Sequence, residues 1–180
     1  MSNEKTVNVT VIYKPGATPN VELVSDDLPI VDGNLVFKND ANDGFFVRFN
    51  LDPTTLKEYF FPNTKDDSLF VEVNHGGTAG CPKSGTWDGF RPHKLDNGNK
   101  TLVVYNKNGK LPANKREERF SFTLRVRKDQ LSSTEFLELD PGGINQNGGV
   151  KSTSWMSTAL LVGVAVGVVA TLAAQTLLPG

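Results

Sequence analysis

Arg119–Lys128 reads RFSFTLRVRK. Phe120, Phe122, Leu124 and Val126 occupy one phase of this run, and Arg119, Ser121, Thr123, Arg125 and Arg127 the other. An apolar residue at every second position is the signature of a strand with one face on a core and the other in water. A helix would scatter the same residues around its axis, because its repeat is about 3.6. The rest of the chain repeats this pattern. In Thr6–Tyr13, Val7, Val9, Val11 and Tyr13 share a face; in Phe45–Leu51, Phe45, Val47, Phe49 and Leu51 do, with Arg48 and Asn50 opposite. Leu69, Val71 and Val73 form a third set, and Val21–Val24, Asn34–Lys38, Thr101–Asn106 and Thr134–Leu139 are shorter candidates.

Turn-forming clusters separate these runs. Lys14-Pro15-Gly16, Val31-Asp32-Gly33-Asn34, 39–44 (NDANDG) and Asn106-Lys107-Asn108-Gly109 all contain residues that tolerate positive φ. One short helical candidate stands out at Pro53–Tyr59, with Asp52 as its cap. About eight half-buried strands in sequence predict a mainly β head over residues 1–140, an antiparallel β-sandwich of immunoglobulin-like or jelly-roll type. Residues 141–154, PGGINQNGGVKSTS, are rich in glycine and polar side chains and read as a flexible linker.

A different solvent is expected beyond it. Lys151 is the last charged residue, and the 29 residues after it carry no charge. Met156–Leu178 is MSTALLVGVAVGVVATLAAQTLL; at about 1.5 Å per residue it matches a hydrocarbon core of roughly 30 Å. Residues 155–178 therefore predict one C-terminal transmembrane α-helix, with Leu160, Val166, Leu172 and Leu178 in lipid and Trp155 as its interfacial anchor. A buried core helix is the alternative, but such helices rarely run so long without a charge. Ala159, Gly163, Gly167, Thr171 and Gln175 recur at intervals of four beside Ala174, and Gly163–Gly167 is a G-x-x-x-G pair, so self-association is expected through this stripe. The N-terminus MSNEKTVNVT has no apolar signal segment. With Lys151 flanking the span, the head is expected in the cytoplasm of a tail-anchored, single-pass protein.

The net charge of -1 conceals an asymmetry: residues 1–75 hold 6 Lys/Arg against 12 Asp/Glu, and residues 76–151 hold 13 against 8. The basic excess includes Arg119, Arg125, Arg127 and Lys128, expected on the wet face of their strand and near anionic lipid headgroups. Nucleic acid is not expected there, since Phe120 and Phe122 point the other way and leave no stacking platform. The single cysteine, Cys81, excludes an intrachain disulfide framework.

The most distinctive soluble stretch is 75–100, HGGTAGCPKSGTWDGFRPHKLDNGNK, with both histidines and the cysteine. It reads as a long connection without periodicity, a candidate binding loop carrying His75, Cys81, Trp87, Phe90 and His93. A metal held by His75, Cys81 and His93 with Asp88 or Asp96 would need H-x5-C-x11-H, which matches no paired zinc-ligand pattern. Cys81 as a nucleophile with a histidine base lacks any supporting motif. The expectation is a loop folded over one end of the sandwich and plugged by Trp87 and Phe90, with no cofactor and no catalytic residues. Taken together, these readings predict a non-enzymatic membrane protein whose head binds an unidentified protein. The rivals are a membrane-disrupting oligomeric effector and a membrane-held virion component.

Overall fold

The computed structural model describes residues 4–39, 44–74, 82–108, 111, 116–128 and 136–147. In chain order its strands are β1 (Lys5–Tyr13), β2 (Val21–Val24), β3 (Ile30–Val31), β4 (Asn34–Asn39), β5 (Phe45–Leu51), β6 (Leu69–Asn74), β7 (Phe90–Asp96), β8 (Thr101–Asn106), β9 (Glu117–Val126), β10 (Leu137–Leu139) and β11 (Gly142–Asn147). A single 3₁₀ turn, Lys65–Asp67, precedes β6. The strands form two sheets: sheet A in the order β2-β1-β5-β8-β7, and sheet B built on β9, β11, β4 and β3 with β6 and β10 also against β9. Leu124 pairs with both Leu69 and Leu139, and Ser121 with both Glu72 and Gly142. Hence β6 holds one edge of β9, while β10 and β11 share the other, interrupted at Asp140-Pro141.

The alternating phases meet between the sheets. Val7, Val9 and Val11 of β1 and Phe49 of β5 are fully buried, as are Leu35 and Phe37 of β4 and Phe122 and Leu124 of β9. Phenylalanines bridge the layers: Phe49–Phe122 at 5.5 Å, Phe90–Phe120 at 4.8 Å and Phe37–Phe90 at 6.1 Å between ring centroids. Each such ring contributes about 1.5–3 kcal/mol by burial. One polar bridge crosses the same core. The amide of Asn106 in β8 donates to the side-chain oxygen of Asn145 in β11 at 2.9 Å, both residues buried. Asn145→Ala deprives a buried donor of its acceptor and should lower unfolding free energy by about 1–3 kcal/mol. Urea denaturation checks this, and a loss under about 0.5 kcal/mol, the range of ordinary surface changes, would deny the bridge a structural role.

Four expectations are corrected. The sheets are mixed, not antiparallel: β1 runs parallel to β5, and β4 parallel to β11. After the β1–β2 hairpin the chain crosses to sheet B for β3 and β4, then returns beside β1 in β1's own direction, which is how a parallel neighbour arises. Second, Gly142–Asn147 is not linker but β11, the strand between β9 and β4. Its glycines are there for close approach. A Cβ on Gly143 would collide with the Phe120 ring, and one on Gly142 with the Asn34 side chain. Third, Pro53–Tyr59 forms turns rather than a helix. Asp52 does cap them, accepting from the Thr55 and Thr54 backbone N–H groups at 2.7 and 3.0 Å, and the Thr55 backbone bond foremost holds its carboxyl below the ordinary carboxylate value. Fourth, the connection 75–100 contains β7, a strand antiparallel to β8.

The β fold lies within Met1–Gly149. No helix among the described residues is long and apolar enough to cross a membrane. The expected linker remainder 148–154 and the expected span 155–178, with Trp155 and the Gly163–Gly167 stripe, lie outside the described residues.

Candidate functional site

The outer face of sheet A is set by what its strands bury. Because Phe45, Val47, Phe49 and Leu51 of β5 point into the core, Phe46, Arg48 and Asn50 point out, each half-buried. On β8 the inward pair Leu102 and Val104 leaves Val103 and Tyr105 outward. Register then assembles a row across three strands: Phe46 opposite Tyr105, and Tyr105 opposite Arg91. The next row is Arg48, Val103 and Lys94. Sequence alternation thus brings two aromatic rings and three cations onto one exposed surface.

His93 joins them through a backbone irregularity. Pairing passes from Pro92–Val104 to Lys94–Val103, so His93 is an extra residue in β7 with no opposite partner. A bulge of this kind re-aims the side chain it carries. The imidazole lies 5.0 Å from the Phe46 ring at 52°, and Tyr105 lies 5.2 Å from Phe46 at 49°. The Arg91 guanidinium stands 5.7 Å over the Tyr105 ring. Val103, on the outward phase between Arg48 and Lys94, is nevertheless buried. Tyr105 can lie close to the backbone just before β5 because Gly44 has no side chain; a Cβ there would come within 2.6 Å of the tyrosine oxygen.

Charge surrounds the rings. The Arg48 guanidinium donates to Asp96 at 3.0 Å, and Lys94 approaches the same oxygen at 3.7 Å. The Asn97 backbone N–H foremost, then Arg48, holds the Asp96 carboxyl below the usual value. Arg91 has only Asp88, at 4.0 Å, whose side chain is 99 % exposed. Lys107, just past β8, is exposed, with its backbone N–H bonded to Gly89. Such an arrangement offers contact area and directed positive donors. It contains no nucleophile–base pair.

The residues singled out from sequence fall in different places. Phe90 is fully buried at the middle of the core as the first residue of β7, a strand side chain and not a loop plug at one end of the sandwich, and the half-buried Trp87 packs 5.2 Å from Phe120. His93 alone of the set reaches the outer face. His75 and Cys81 lie outside the described residues, and among the described residues no group of three or more His, Cys, Asp or Glu is placed to hold a metal.

The basic face of β9 is broken up rather than continuous. Ser121 and Thr123, between Arg119 and Arg125, are buried, and Thr123 donates to Asp140 at 2.9 Å. Arg119 pairs with Glu117 at 2.7 Å and Lys128 with Glu58 at 3.0 Å. Arg125 lies between the rings of Phe136, at 3.7 Å, and Phe70, at 4.8 Å, while the backbone of Arg127 is bonded to Phe60. Arg125 thus packs β9 against its neighbours, while the Arg119–Glu117 pair lies within β9 itself.

A hollow of about 530 Å³ opens beside the Asp140-Pro141 break, where Asn20, Asp32, Asn34 and Asp140 alternate with Ala17, Pro19, Val21 and Pro141. Its lining is mixed, with no aromatic side chain among the described residues.

Phe46, Tyr105 and Arg91 were not singled out from sequence. The available signal was a large apolar residue on the polar phase: Phe46 beside Arg48 in FFVRFNL, and Tyr105 at the end of TLVVYN. No protein-family model matches this chain, and no curated protein matches it.

Proposed function

We propose that this chain is a membrane-anchored recognition protein, not an enzyme. Its β head presents the outer face of sheet A to a protein partner, and Met156–Leu178 forms the transmembrane helix that holds the head at a bilayer, on the cytoplasmic side. The observation that carries the reading is the cluster of the half-buried Phe46 and Tyr105 rings with the exposed His93 and Arg91 beside them. Aromatic residues and arginine dominate the centres of protein interfaces, because they bury large areas while keeping polar handles. The charge-free run after Lys151 supports the anchor.

Three variants divide the proposal. Deleting 152–180 should shift the protein from the membrane pellet to the soluble fraction, and Val166→Arg should cost about 2.5–3.5 kcal/mol of insertion. Arg91→Glu should leave membrane attachment alone and abolish co-purification of a stoichiometric partner in mild detergent. Sedimentation of the deletion variant with membranes after alkaline carbonate washing would refute the anchor. Undiminished partner recovery with Arg91→Glu would refute the recognition face.

A further inference from the structure

The cluster on sheet A has a shape and a sign that restrict its ligand. The Phe46 ring lies 5.0 Å from His93 and 5.2 Å from Tyr105, tilted by 52° and 49°, so the three make one apolar centre with no shared flat face. The next row along the strands holds Arg48, Val103 and Lys94, and the row after it Asn50, Thr101 and Asp96. No further ring continues the centre in that direction. A nucleic-acid strand needs a succession of stacking faces along its path, and a flat sugar chain needs a level platform. One apolar centre suits one inserted side chain.

The rim is positive. Asp96 is shared by Arg48 and Lys94, which closes off that side. On the opposite side, the Asp88 carboxylate that Arg91 meets at 4.0 Å is open to water, and the Arg91 guanidinium stands over the Tyr105 ring. The exposed Lys107 follows two residues beyond Tyr105, about 6–7 Å along an extended chain, so that side of the rim carries two cations. The free edge of β7 does not invite an added strand, because Pro92 and the bulge at His93 interrupt its ladder and Lys65 reaches the Pro92 carbonyl at 3.4 Å. Contact must come from side chains over the face.

Resting on the reading of this face as the recognition surface, we infer that its ligand is an acidic peptide segment with a single apolar anchor residue. The anchor sits against Phe46, His93 and Tyr105, and flanking carboxylates pair with Arg91 and Lys107.

The test uses the full chain in nanodiscs of neutral phosphatidylcholine. The probe is a fluorescent synthetic peptide with one tryptophan flanked by glutamates, read by anisotropy. Binding should weaken about tenfold or more when glutamine replaces the glutamates, when serine replaces the tryptophan, or when the protein carries Arg91→Glu or Lys107→Glu. Phe46→Ser should act like the loss of the tryptophan, and the exposed-site variants keep the comparison valid if Phe46→Ser fails to fold. Equal affinity for the glutamine peptide, or displacement by oligo(dT), would overturn the inference, the second in favour of nucleic acid. If no acidic peptide binds while Arg91→Glu still releases the co-purifying partner, the ligand class is wrong and the face stands. If the partner is retained, the face itself is wrong.

Discussion

Phe90→Ala should lower the unfolding free energy by about 3–5 kcal/mol, the usual range for removing a fully buried phenylalanine. The ring has no exposure and lies 4.8 Å from Phe120, 5.0 Å from Phe122, 6.1 Å from Phe37 and 6.3 Å from Phe49. It is the one side chain of β7 that reaches the middle of the core, and it touches both sheets. Truncation leaves a void surrounded by rings that cannot collapse into it without leaving their own rotamers. A phenylalanine in an exposed loop would change stability by less than about 0.5 kcal/mol. The urea midpoint of Phe90→Ala therefore separates a core strand from a loop. A shift within the loop range would mean that β7 does not seat its first residue between the sheets.

The second large effect concerns the end of the head. A chain ending at Asp140 should fail to unfold cooperatively, whereas one ending at Gly149 should keep the near-UV signature of packed rings. The shorter chain lacks β11, so the β4 edge over Asn34–Asn39 and the β9 edge over Glu117–Ser121 lose their partner together. It also loses Ile144, buried on the face of β11 opposite to Asn145, and the acceptor of Asn106. Ladder, buried apolar area and polar bridge go at once. Circular dichroism and amide dispersion of the two truncations decide the matter, and a cooperatively folded 1–140 chain would show that β11 is an accessory to sheet B.

Where side-chain alternation sets the conformation, the strands were legible. Phe45–Leu51, Thr101–Asn106 and Val21–Val24 run as their patterns predict, and the inward set of β9 is the apolar phase of RFSFTLRVRK. Three strands escaped notice, the two-residue β3 and two longer ones that obey other constraints. In β11, GGINQN, only Ile144 is apolar, and the glycines reflect what lies above them, the Phe120 ring and Asn34, which is invisible in the local sequence. In β7, FRPHKLD, a proline and a run of charge hide a strand that is tolerated because it lies at a sheet edge and is bulged. The outer face of β9 misled for a related reason. Ser121 and Thr123 are polar yet buried, since small hydroxyl side chains can be covered once they are hydrogen-bonded, as Thr123 is to Asp140. Of the aromatic cluster on sheet A only His93 was legible, because Phe46, Tyr105 and Arg91 are brought together by register between strands distant in sequence.

The parallel seam between β4 and β11 has a kinetic meaning. It joins Asn34 to Gly142, 108 positions apart in the chain, and β1 against β5 adds a second pairing across an intervening crossover. Loop-closure entropy must be met before either seam returns any contact energy, so the transition state is reached late and slowly. Until β11 arrives, an emerging chain carries two strands with open hydrogen-bonding edges, a template for association with other nascent chains. Stopped-flow refolding of the 1–149 head should accordingly fall in the millisecond-to-second range of domains rich in non-local pairing. A microsecond phase carrying the full amplitude would mean that the seam forms after, not during, the rate-limiting step. For the cell, the vulnerable interval is then the time needed to synthesise the stretch between β4 and its partner.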